Sequence, residues 1–332
     1  MIQEKANAMT TPKPLSVLIC SAGRRVGLLN SFRTSLRDLG LEGRVIACDL
    51  DPGMSAACAA ADAAFAVPRA TDPGYAAAIL DIARAEGVGL IVPTIDPELL
   101  PLAQAAQEFA AAGIRVHVSA PPVIDVVRDK SETARVLDMA GVPVPRTLTE
   151  AQLRATPDGL RWPVFAKPSG GSASRGLAVF DHIDMLPDTF DEPMIFQDRL
   201  TGPEYTINMF VDAKGALQCV VPHKRLAIRA GEVEKGRTER REDLHEIAAG
   251  ILRTLPDLRG VACFQVIEDP EIGIAVFEIN ARFGGGYPLA DYAGAPFARW
   301  LLEEVADLPR SADNAWRDGA EMLRYDDAVY RG

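Results

Sequence analysis

The chain has 332 residues, of which 48% are hydrophobic, so it is long enough for two or three domains with a sizeable core. A net charge of -11 argues against broad binding to nucleic acid or to anionic membranes, although local cations can still hold a small anion. The 5 cysteines lack CxxC spacing and the 4 histidines lack an HExxH pattern, so we expect buried reduced thiols and no zinc site.

The N-terminal residues 1–13 are polar, contain proline and lack the apolar core of a signal peptide. Such a segment is expected to be a disordered tail. No run of residues approaches membrane-spanning length. We therefore expect a cytoplasmic protein with neither a membrane nor a nucleic-acid partner.

Residues 14–120 alternate short apolar runs with helical patterns. Strands are expected at 15–20, 45–48, 64–67, 90–92 and 115–118, and helices from about 26, over 73–85 and over 97–111. Strands that alternate with helices indicate a parallel sheet covered on both faces. This part of the chain is therefore predicted to be an α/β domain.

Polar clusters follow three of these strands, where parallel sheets bind their ligands. They are Gly23-Arg24-Arg25, Asp49 with Asp51, and Thr94 to Glu98. Two arginines at a helix N-terminus suit an anion. Alternatively the arginines are solvated, and Asp96 and Glu98 merely cap the next helix. The sequence leaves both interpretations open.

A dinucleotide site is a further interpretation of the first strand–glycine–helix unit, with Asp49 on a ribose hydroxyl. The residues after the strand read GRRVG, however, instead of GxGxxG. The missing second glycine leaves a side chain where a pyrophosphate would approach. We therefore do not expect a nicotinamide-dependent oxidoreductase.

The second part of the chain begins after a run of glycine and proline at 141–145. A strand over 162–168 brings Lys167 to its end, and small residues at 169–174 separate it from a strand over 175–180. Backbone N–H groups of such a hairpin can surround phosphate oxygens. No GK[ST] opens a helix here, so the segment is not a Walker A loop.

Further strands are expected over 194–200, 205–211, 215–222 and 260–267, and helices end near 255 and 305. The charged run 232–243 is predicted to be a solvated loop that leads into the first of these helices. His223 is expected to be structural or exposed, and no residue stands out as a general base.

The most informative stretch is 274–296, which contains FEINARFGGGYPL. Glu278, Asn280 and Arg282 alternate, so an extended strand would project them from one face. Carboxylate and amide oxygens suit a hard divalent cation, and a guanidinium suits a phosphate. The three glycines at 284–286 let the backbone approach a ligand. The alternative is a solvated strand end with a flexible loop.

Together the motifs resemble the ATP-grasp superfamily, and within it the short carbamoyl-phosphate-synthase large-subunit-like proteins. They occur in the family's order: VPTIDPEL, DK at 129–130, PVFAKPSGGSASRG, FQDRLTGPEYTINMFVD, ACFQ and FEINARFGGGYPL. The resemblance extends from Ser16 to about Leu308. It implies a Rossmann-like pre-ATP-grasp domain over 14–120 and an ATP-grasp domain of two α+β subdomains over 121–332, with a flap subdomain at about 145–200.

The resemblance also assigns nucleotide-binding roles. Lys130 and Lys167 resemble the cations that hold the ATP phosphates, and a loop over 169–176 closes on them. The loop residues concerned are Ser169, Gly170, Gly171 and Gly176. Residues Gln197, Asp198, Arg199 and Leu200 resemble the hinge that hydrogen-bonds adenine. Glu204 resembles the acid that binds ribose.

The metal and catalytic roles follow in the same way. Glu278 and Asn280 match the Mg²⁺ ligands, and Gln265 occupies a further metal-associated position that is often acidic in relatives. Gln265 is expected beside Glu278 on a neighbouring strand. Arg282 resembles the residue that steadies the transferred phosphoryl group, and with Lys167 it forms the predicted catalytic pair. ATP and Mg²⁺ are the implied cofactors.

The implied activity is an ATP-dependent carboxylate–amine ligase that acts through an acyl phosphate and releases ADP and phosphate. Its partners would be a small-molecule carboxylate and an amine, with a homodimer as the assembly to test. One alternative is a carbamate- or carboxylate-phosphorylating enzyme of the carbamoyl-phosphate-synthase type, although such enzymes have duplicated halves and this chain has one copy. Another is a non-catalytic ATP-binding regulatory module.

Overall fold

A computed structural model describes residues 14–171 and 175–330. The tail predicted over 1–13 lies outside the described residues, as do residues 172–174 of the predicted phosphate loop. Within the described chain, every helix is too short or too polar to cross a membrane.

The N-terminal domain is built on a parallel five-stranded sheet. Its strands are β1 (Ser16–Ile19), β2 (Val45–Asp49), β3 (Ala64–Ala66), β4 (Val88–Val92) and β5 (Arg115–Val116). They lie in the order β3-β2-β1-β4-β5, all parallel. Its helices are α1 (Val26–Asp38), α2 (Ala56–Ala60), α3 (Tyr75–Ala85), α4 (Leu99–Gln104) and α5 (Ala106–Ala111). The predicted α/β class is confirmed.

Two predicted elements of this domain differ from the structure. The single helix predicted over 97–111 is divided, because Ala105 leaves helical geometry with φ -87° and ψ 3°. The fifth strand is shorter than predicted, since it lies at the sheet edge and only Arg115 and Val116 pair with β4.

Two helices connect this domain to a small antiparallel sheet. The helices are α6 (Pro121–Arg128) and α7 (Lys130–Met139). The next elements are β6 (Thr147–Thr149), α8 (Glu150–Ala155), β7 (Val164–Pro168), β8 (Ala178–Phe180) and β9 (Met194–Asp198). The strand order is β6-β9-β7-β8, and Leu153 of α8 packs with Val164 and Phe196 in a core of its own.

A six-stranded antiparallel sheet forms the rest of the molecule. Its strands are β10 (Glu204–Val211), β11 (Leu217–Arg229), β12 (Glu232–Thr238), β13 (Gly260–Asp269), β14 (Gly273–Asn280) and β15 (Glu321–Leu323). They lie in the order β14-β13-β10-β11-β12-β15. Three helices accompany them, α9 (Glu242–Thr254), α10 (Tyr287–Ala293) and α11 (Phe297–Val305). The two antiparallel sheets confirm the predicted α+β character of this part.

The prediction of a solvated loop over 232–243 is wrong for the first half of this segment, which forms strand β12. Val233, Gly236 and Thr238 are buried between charged neighbours, and the backbone pairs with β11 on one side and β15 on the other. Backbone pairing on both edges therefore outweighs the charged composition of this segment.

The N-terminal domain and the six-stranded sheet share one hydrophobic core. Phe32 of α1 packs edge-on against Phe283, with 5.9 Å between ring centroids, and Phe283 packs against Tyr287 of α10 at 4.7 Å. The hydroxyl of Ser31 donates a hydrogen bond to Asp291 over 2.5 Å. These contacts fix the segment after β14 against the carboxyl ends of the parallel strands.

Candidate active site

The end of β14 carries the predicted metal-binding side chains. In the pairing with β13, Gln265 lies directly opposite Glu278, and Cys263 lies opposite Asn280. The predicted neighbourhood of Gln265 and Glu278 is therefore confirmed by the register. Glu278 is half-buried and Asn280 is buried, so both oxygen donors lie at the boundary between protein and solvent.

Lys167 enters this region from the small sheet. The residue is 5% exposed, and its ammonium donates a hydrogen bond to the backbone oxygen of Phe277 over 3.1 Å and lies 5.5 Å from the Phe277 ring centroid. Burial lowers the pKa of Lys167 to about 8; Glu278 opposes this effect and Lys130 adds to it. Lys167 therefore joins β7 to β14 with a cation whose charge depends on pH near neutrality.

Lys130 holds the start of the predicted phosphate loop. Its ammonium donates to the backbone oxygens of Gly170 over 3.2 Å and Gly171 over 2.8 Å. Its backbone N–H donates to the oxygen of Ser169 over 2.9 Å, and the Ser169 hydroxyl donates to Asp129 over 2.6 Å. Asp129 in turn caps α7. One helix N-terminus thus holds the loop and its lysine together.

Glycine is required at both ends of this loop. Gly171 has φ +82° and Gly176 has φ +67°, a conformation that residues with a side chain rarely adopt. A Cβ atom on Gly176 would also lie 2.9 Å from the Pro168 ring. Two of the three predicted loop glycines therefore have a backbone reason to be glycine, whereas Gly170 has neither a positive φ nor a close neighbour.

The predicted adenine hinge is partly occupied by structural contacts. Gln197 donates to the Thr147 hydroxyl over 2.8 Å, and Asp198 accepts from the backbone N–H of Arg161 over 2.8 Å. Both side chains are buried, whereas Arg199 is exposed and Leu200 is half-buried. The side chains of Gln197 and Asp198 therefore hold the strand end in place.

Glu204, the predicted ribose ligand, forms an ion pair with Arg225 of β11. Burial raises the pKa of Glu204 and Glu278 acts in the same direction, while Arg225 opposes both. The guanidinium of Arg225 also donates to the backbone oxygen of Gly231 over 2.8 Å. This pair connects the start of β10 to the turn before β12.

Arg282 is held by the N-terminal domain. Its Nε and Nη2 atoms donate to the two carboxylate oxygens of Asp96, each over 3.0 Å, and Nη2 also donates to Oδ1 of Asn280 over 2.9 Å. Burial alone would lower the pKa of Arg282, but the paired Asp96 carboxylate outweighs it and the pKa is raised. Arg282 is therefore a permanent cation in a fixed orientation.

Asp96 and Glu98, which the sequence treats alike, have different roles. Glu98 is fully buried and accepts hydrogen bonds from the hydroxyls of Ser21 and Tyr75, each over 2.7 Å, and from the backbone N–H of Ile95 over 3.0 Å. Glu98 is thus structural. Asp96 points at Arg282 instead, and sequence reasoning did not assign it to the site; its place after a strand was the only signal.

One pocket is lined by residues from five segments of the chain. It is lined by Asp96, Pro97, Val127, Arg128, Lys130, Gly171, Glu278, Ile279 and Asn280. Lys167 and Arg282 are connected to the same pocket through Phe277 and Asn280. The structure therefore brings Lys130, Lys167, Glu278, Asn280 and Arg282 into one region.

A larger cavity of about 260 Å³ lies elsewhere, between β10, β11 and α11, and contains none of the predicted site residues. Its carboxylates already have partners. Asp212 accepts from Gln218 over 2.9 Å, and Glu303 accepts from Arg299 over 2.8 Å and from Ser311 over 2.7 Å. This cavity is therefore not a candidate active site.

The donor set fits Mg²⁺ shared with phosphates better than a metal held by protein alone. Among the residues that the structure describes, no three His, Cys, Asp or Glu side chains group together to hold a metal ion. Glu278 supplies one carboxylate, and Gln265 and Asn280 supply amide oxygens. Mg²⁺ commonly takes one or two carboxylates and completes its coordination with phosphate oxygens and water.

Comparison with known proteins gives two adjoining family matches. Residues 17–117 match the PylC-like N-terminal domain, and residues 127–286 match the ATP-grasp domain. A segment of 86 residues, 25% of this chain, is 34% identical to the carbamoyl phosphate synthase large chain of Beutenbergia cavernae. That segment is only 8% of the length of the relative, so this chain spans a small part of it.

Solved structures show the same fold over nearly the whole chain. The N5-carboxyaminoimidazole synthetase of Staphylococcus aureus superposes with a TM-score of 0.73 at 14% identity, covering 95% of this chain and 83% of the other. The biotin carboxylase of Campylobacter jejuni, solved as a beta-gamma-ATP complex, gives 0.72 at 18% identity, covering 92% and 74%. The chain thus contains an ATP-grasp domain over residues 127–286, preceded by a PylC-like N-terminal domain over residues 17–117.

Proposed function

We propose that this protein is an ATP-dependent carboxylate–amine ligase that forms an amide-type bond through an acyl phosphate and releases ADP and phosphate. The observation that carries the proposal is the convergence of two lysines, one arginine and a carboxylate–amide pair around one pocket. They are Lys130, Lys167, Arg282, Glu278 and Asn280. Cations and metal ligands in this arrangement suit phosphoryl transfer, which depends on positioning and charge neutralisation.

Each side chain has a physical role in this proposal. Lys130 and Lys167 bind phosphate oxygens, and the loop that begins at Ser169 excludes water from the acyl phosphate. Arg282 orients the substrate carboxylate and the transferred phosphoryl group. A bound Mg²⁺ would supply charge neutralisation at the phosphates. Gln265, Glu278 and Asn280 would hold it. The adenine and ribose roles of 197–200 and Glu204 remain part of the proposal.

The relatives support nucleotide binding within this fold. The biotin carboxylase structure contains a beta-gamma-ATP, and it shares its fold with 92% of this chain. The second solved relative is named a synthetase. Both names agree with an ATP-consuming enzyme, and the pocket described above supplies the residues that such a reaction needs.

The experiment is a screen of small carboxylic acids against amines, with ADP formation measured by a coupled assay and products identified by mass spectrometry. We expect ADP release that requires both an acid and an amine. Glu278→Ala should lower kcat by about a hundredfold or more, because the metal-bound phosphates lose their carboxylate ligand. Glu246→Ala is the matched control, since Glu246 lies exposed on α9. Unchanged ATP binding and turnover in Glu278→Ala would contradict the proposal.

A second candidate is a carboxylate- or carbamate-phosphorylating enzyme. It is favoured by the 34% identity to a carbamoyl phosphate synthase large chain. The two candidates differ in their product: a ligase needs the amine for turnover, whereas a kinase of this type releases an acyl phosphate without it. Hydroxylamine added after the enzyme has been removed converts only released acyl phosphate to a hydroxamate, so hydroxamate from a reaction without amine identifies the phosphorylating enzyme.

A further inference from the structure

A second group of cations lies beside the proposed catalytic pocket. It consists of Arg24 and Arg25, which follow β1, and Arg324, which follows β15. All three surround the carboxylate of Glu232 at the start of β12. Arg24 and Arg25 each approach it to 3.3 Å, and Arg324 to 3.0 Å. We call these four residues the arginine cluster.

The arginine cluster has more positive than negative charge. Three guanidinium groups share one carboxylate, which leaves a surplus of two positive charges in a chain whose net charge is -11. The side chains of Arg25 and Arg324 are 17% and 29% exposed, so water screens these two charges incompletely, whereas Arg24 is 61% exposed. An anionic ligand would neutralise it.

The pKa values of the arginine cluster agree with this surplus. Burial lowers the pKa of Arg25, and the like charges of Arg282 and Arg324 lower it further, against the attraction of Glu232. Burial alone would raise the pKa of Glu232, but Arg25, Arg324 and Arg24 outweigh it and hold that pKa below its usual value. Glu232 is therefore an anion that the arginines share.

The glycine loop places the arginine cluster next to Arg282. Arg324 donates to the backbone oxygen of Gly285, and a Cβ on Gly285 would lie 2.6 Å from the carboxylate carbon of Glu232. Only two residues separate Arg282 from Gly285 along the chain. A small molecule whose carboxylate binds Arg282 could therefore place a second group at the arginine cluster.

An unpartnered polar atom also lies under this loop. His223 is fully buried, its Nδ1 lies 3.3 Å from Nδ2 of Asn208, and among the described residues its Nε2 has no hydrogen-bond partner. A Cβ on Gly286 would lie 2.6 Å from that Nε2 atom. Glycine at 286 therefore leaves a polar nitrogen directly beneath the backbone that separates the arginine cluster from the catalytic pocket.

We infer that the carboxylate substrate carries a second anionic group, and that the arginine cluster binds this group while Arg282 binds the reacting carboxylate. The inference rests on the proposed function and specifies its substrate as a dicarboxylate or a phosphorylated acid. Glu232 competes with the second anion for the same guanidinium groups. Specificity for a dianionic acid thus comes from the PylC-like domain and β15 together.

The test is calorimetric titration of the full chain with glutarate, inorganic phosphate and butyrate, in the presence of saturating Mg²⁺ and a non-hydrolysable ATP analogue. The analogue occupies the proposed nucleotide site, so that added phosphate does not bind there. Binding of the analogue itself is a separate test of the proposed function. We expect glutarate or phosphate to bind at least about tenfold more tightly than butyrate, since a second charge adds about 1.4 kcal/mol or more. The tighter of the two dianions identifies the chemistry of the second group.

Variants then assign the binding to these residues. Arg25→Gln and Arg324→Gln should weaken dianion binding at least about tenfold, whereas Arg44→Gln, whose guanidinium pairs with Glu86, should not. Glu232→Gln should strengthen it, because the competing carboxylate is removed. Equal affinity for butyrate and glutarate, or weaker dianion binding in Glu232→Gln, would overturn the inference. Failure of the unmodified protein to bind the ATP analogue would instead count against the proposed function.

Discussion

Asp96 and Arg282 hold each other through two contacts of 3.0 Å across the junction of the two domains. Asp96→Asn would keep the shape of this pair and remove its charge. We expect kcat to fall about tenfold with little change in the KM for MgATP, since Lys130 and Lys167 remain while Arg282 loses its orientation. Steady-state kinetics measures both constants. Asp81→Asn, exposed on α3, is the control; a raised KM with unchanged kcat would refute a positioning role.

Lys167 predicts a pH dependence of nucleotide binding. Burial lowers its pKa to about 8, so the ammonium is charged below that pH and loses its proton above it. The affinity for MgATP should therefore be full at pH 7 and fall by up to about tenfold for each pH unit above 8. In Lys167→Arg the cation stays charged throughout, and we expect the decline to disappear. Fluorescence titration with MgATP between about pH 6.5 and 9.5 measures the affinity. An identical decline in Lys167→Arg would exclude Lys167 as its source.

Neighbours within one element could be predicted from the sequence, whereas partners from distant elements could not. The alternation of Glu278 with Asn280 follows from strand geometry, and Gln265 could be placed opposite because its strand is adjacent in the chain. Arg282 and Asp96 are 186 residues apart, and nothing local distinguishes Asp96 from the capping Glu98. The arginine cluster was likewise visible only as Arg24 and Arg25, without Glu232 or Arg324.

At the scale of elements, the N-terminus of α7 and the phosphate loop behave as one unit. Lys130 contacts two loop carbonyls, and its own backbone holds Ser169. Lys130→Met should raise the KM for MgATP about tenfold and leave the free energy of unfolding within about 0.5 kcal/mol, because the half-buried side chain makes its hydrogen bonds to loop carbonyls at the surface. Lys214→Met, exposed in the turn after β10, is the control.

Amide hydrogen exchange shows whether Lys130 acts only through its charge or also by ordering the phosphate loop. Faster exchange at 169–171 in Lys130→Met would show that Lys130 also orders the loop. An unchanged KM for MgATP, with protection in this segment also unchanged, would remove Lys130 from the proposed site.

Two helices with strong local periodicity matched their predictions, whereas two strands that depend on distant pairing did not. Helices α1 and α11 lie where apolar spacing predicts them. Strand β12 is rich in charge and was predicted to be a loop, but β11 and β15 pair with its two edges. The three residues of β15 carry no signal of their own, and they become a strand only beside Lys235 to Arg237.

At the scale of the whole molecule, the shared core makes the site a property of both domains. Phe283 follows Arg282 directly and contacts Phe32 and His117 of the N-terminal domain as well as Tyr287 of α10, with ring centroids 5.9, 5.5 and 4.7 Å apart. The orientation of Arg282 towards Asp96 thus depends on packing between the domains. Unfolding of either domain would disperse the pocket and the arginine cluster.

Phe283→Ala tests this coupling. Phe283 is 1% exposed, so its truncation should lower the free energy of unfolding by about 3–5 kcal/mol. Because Phe283 belongs to the core of both domains, we expect one cooperative transition at lower denaturant concentration, seen identically by tryptophan fluorescence and by far-ultraviolet circular dichroism. Phe65→Ala, half-buried in edge strand β3, should cost less. Two separate transitions in Phe283→Ala would show that the domains fold independently and that Arg282 is positioned by its own sheet alone.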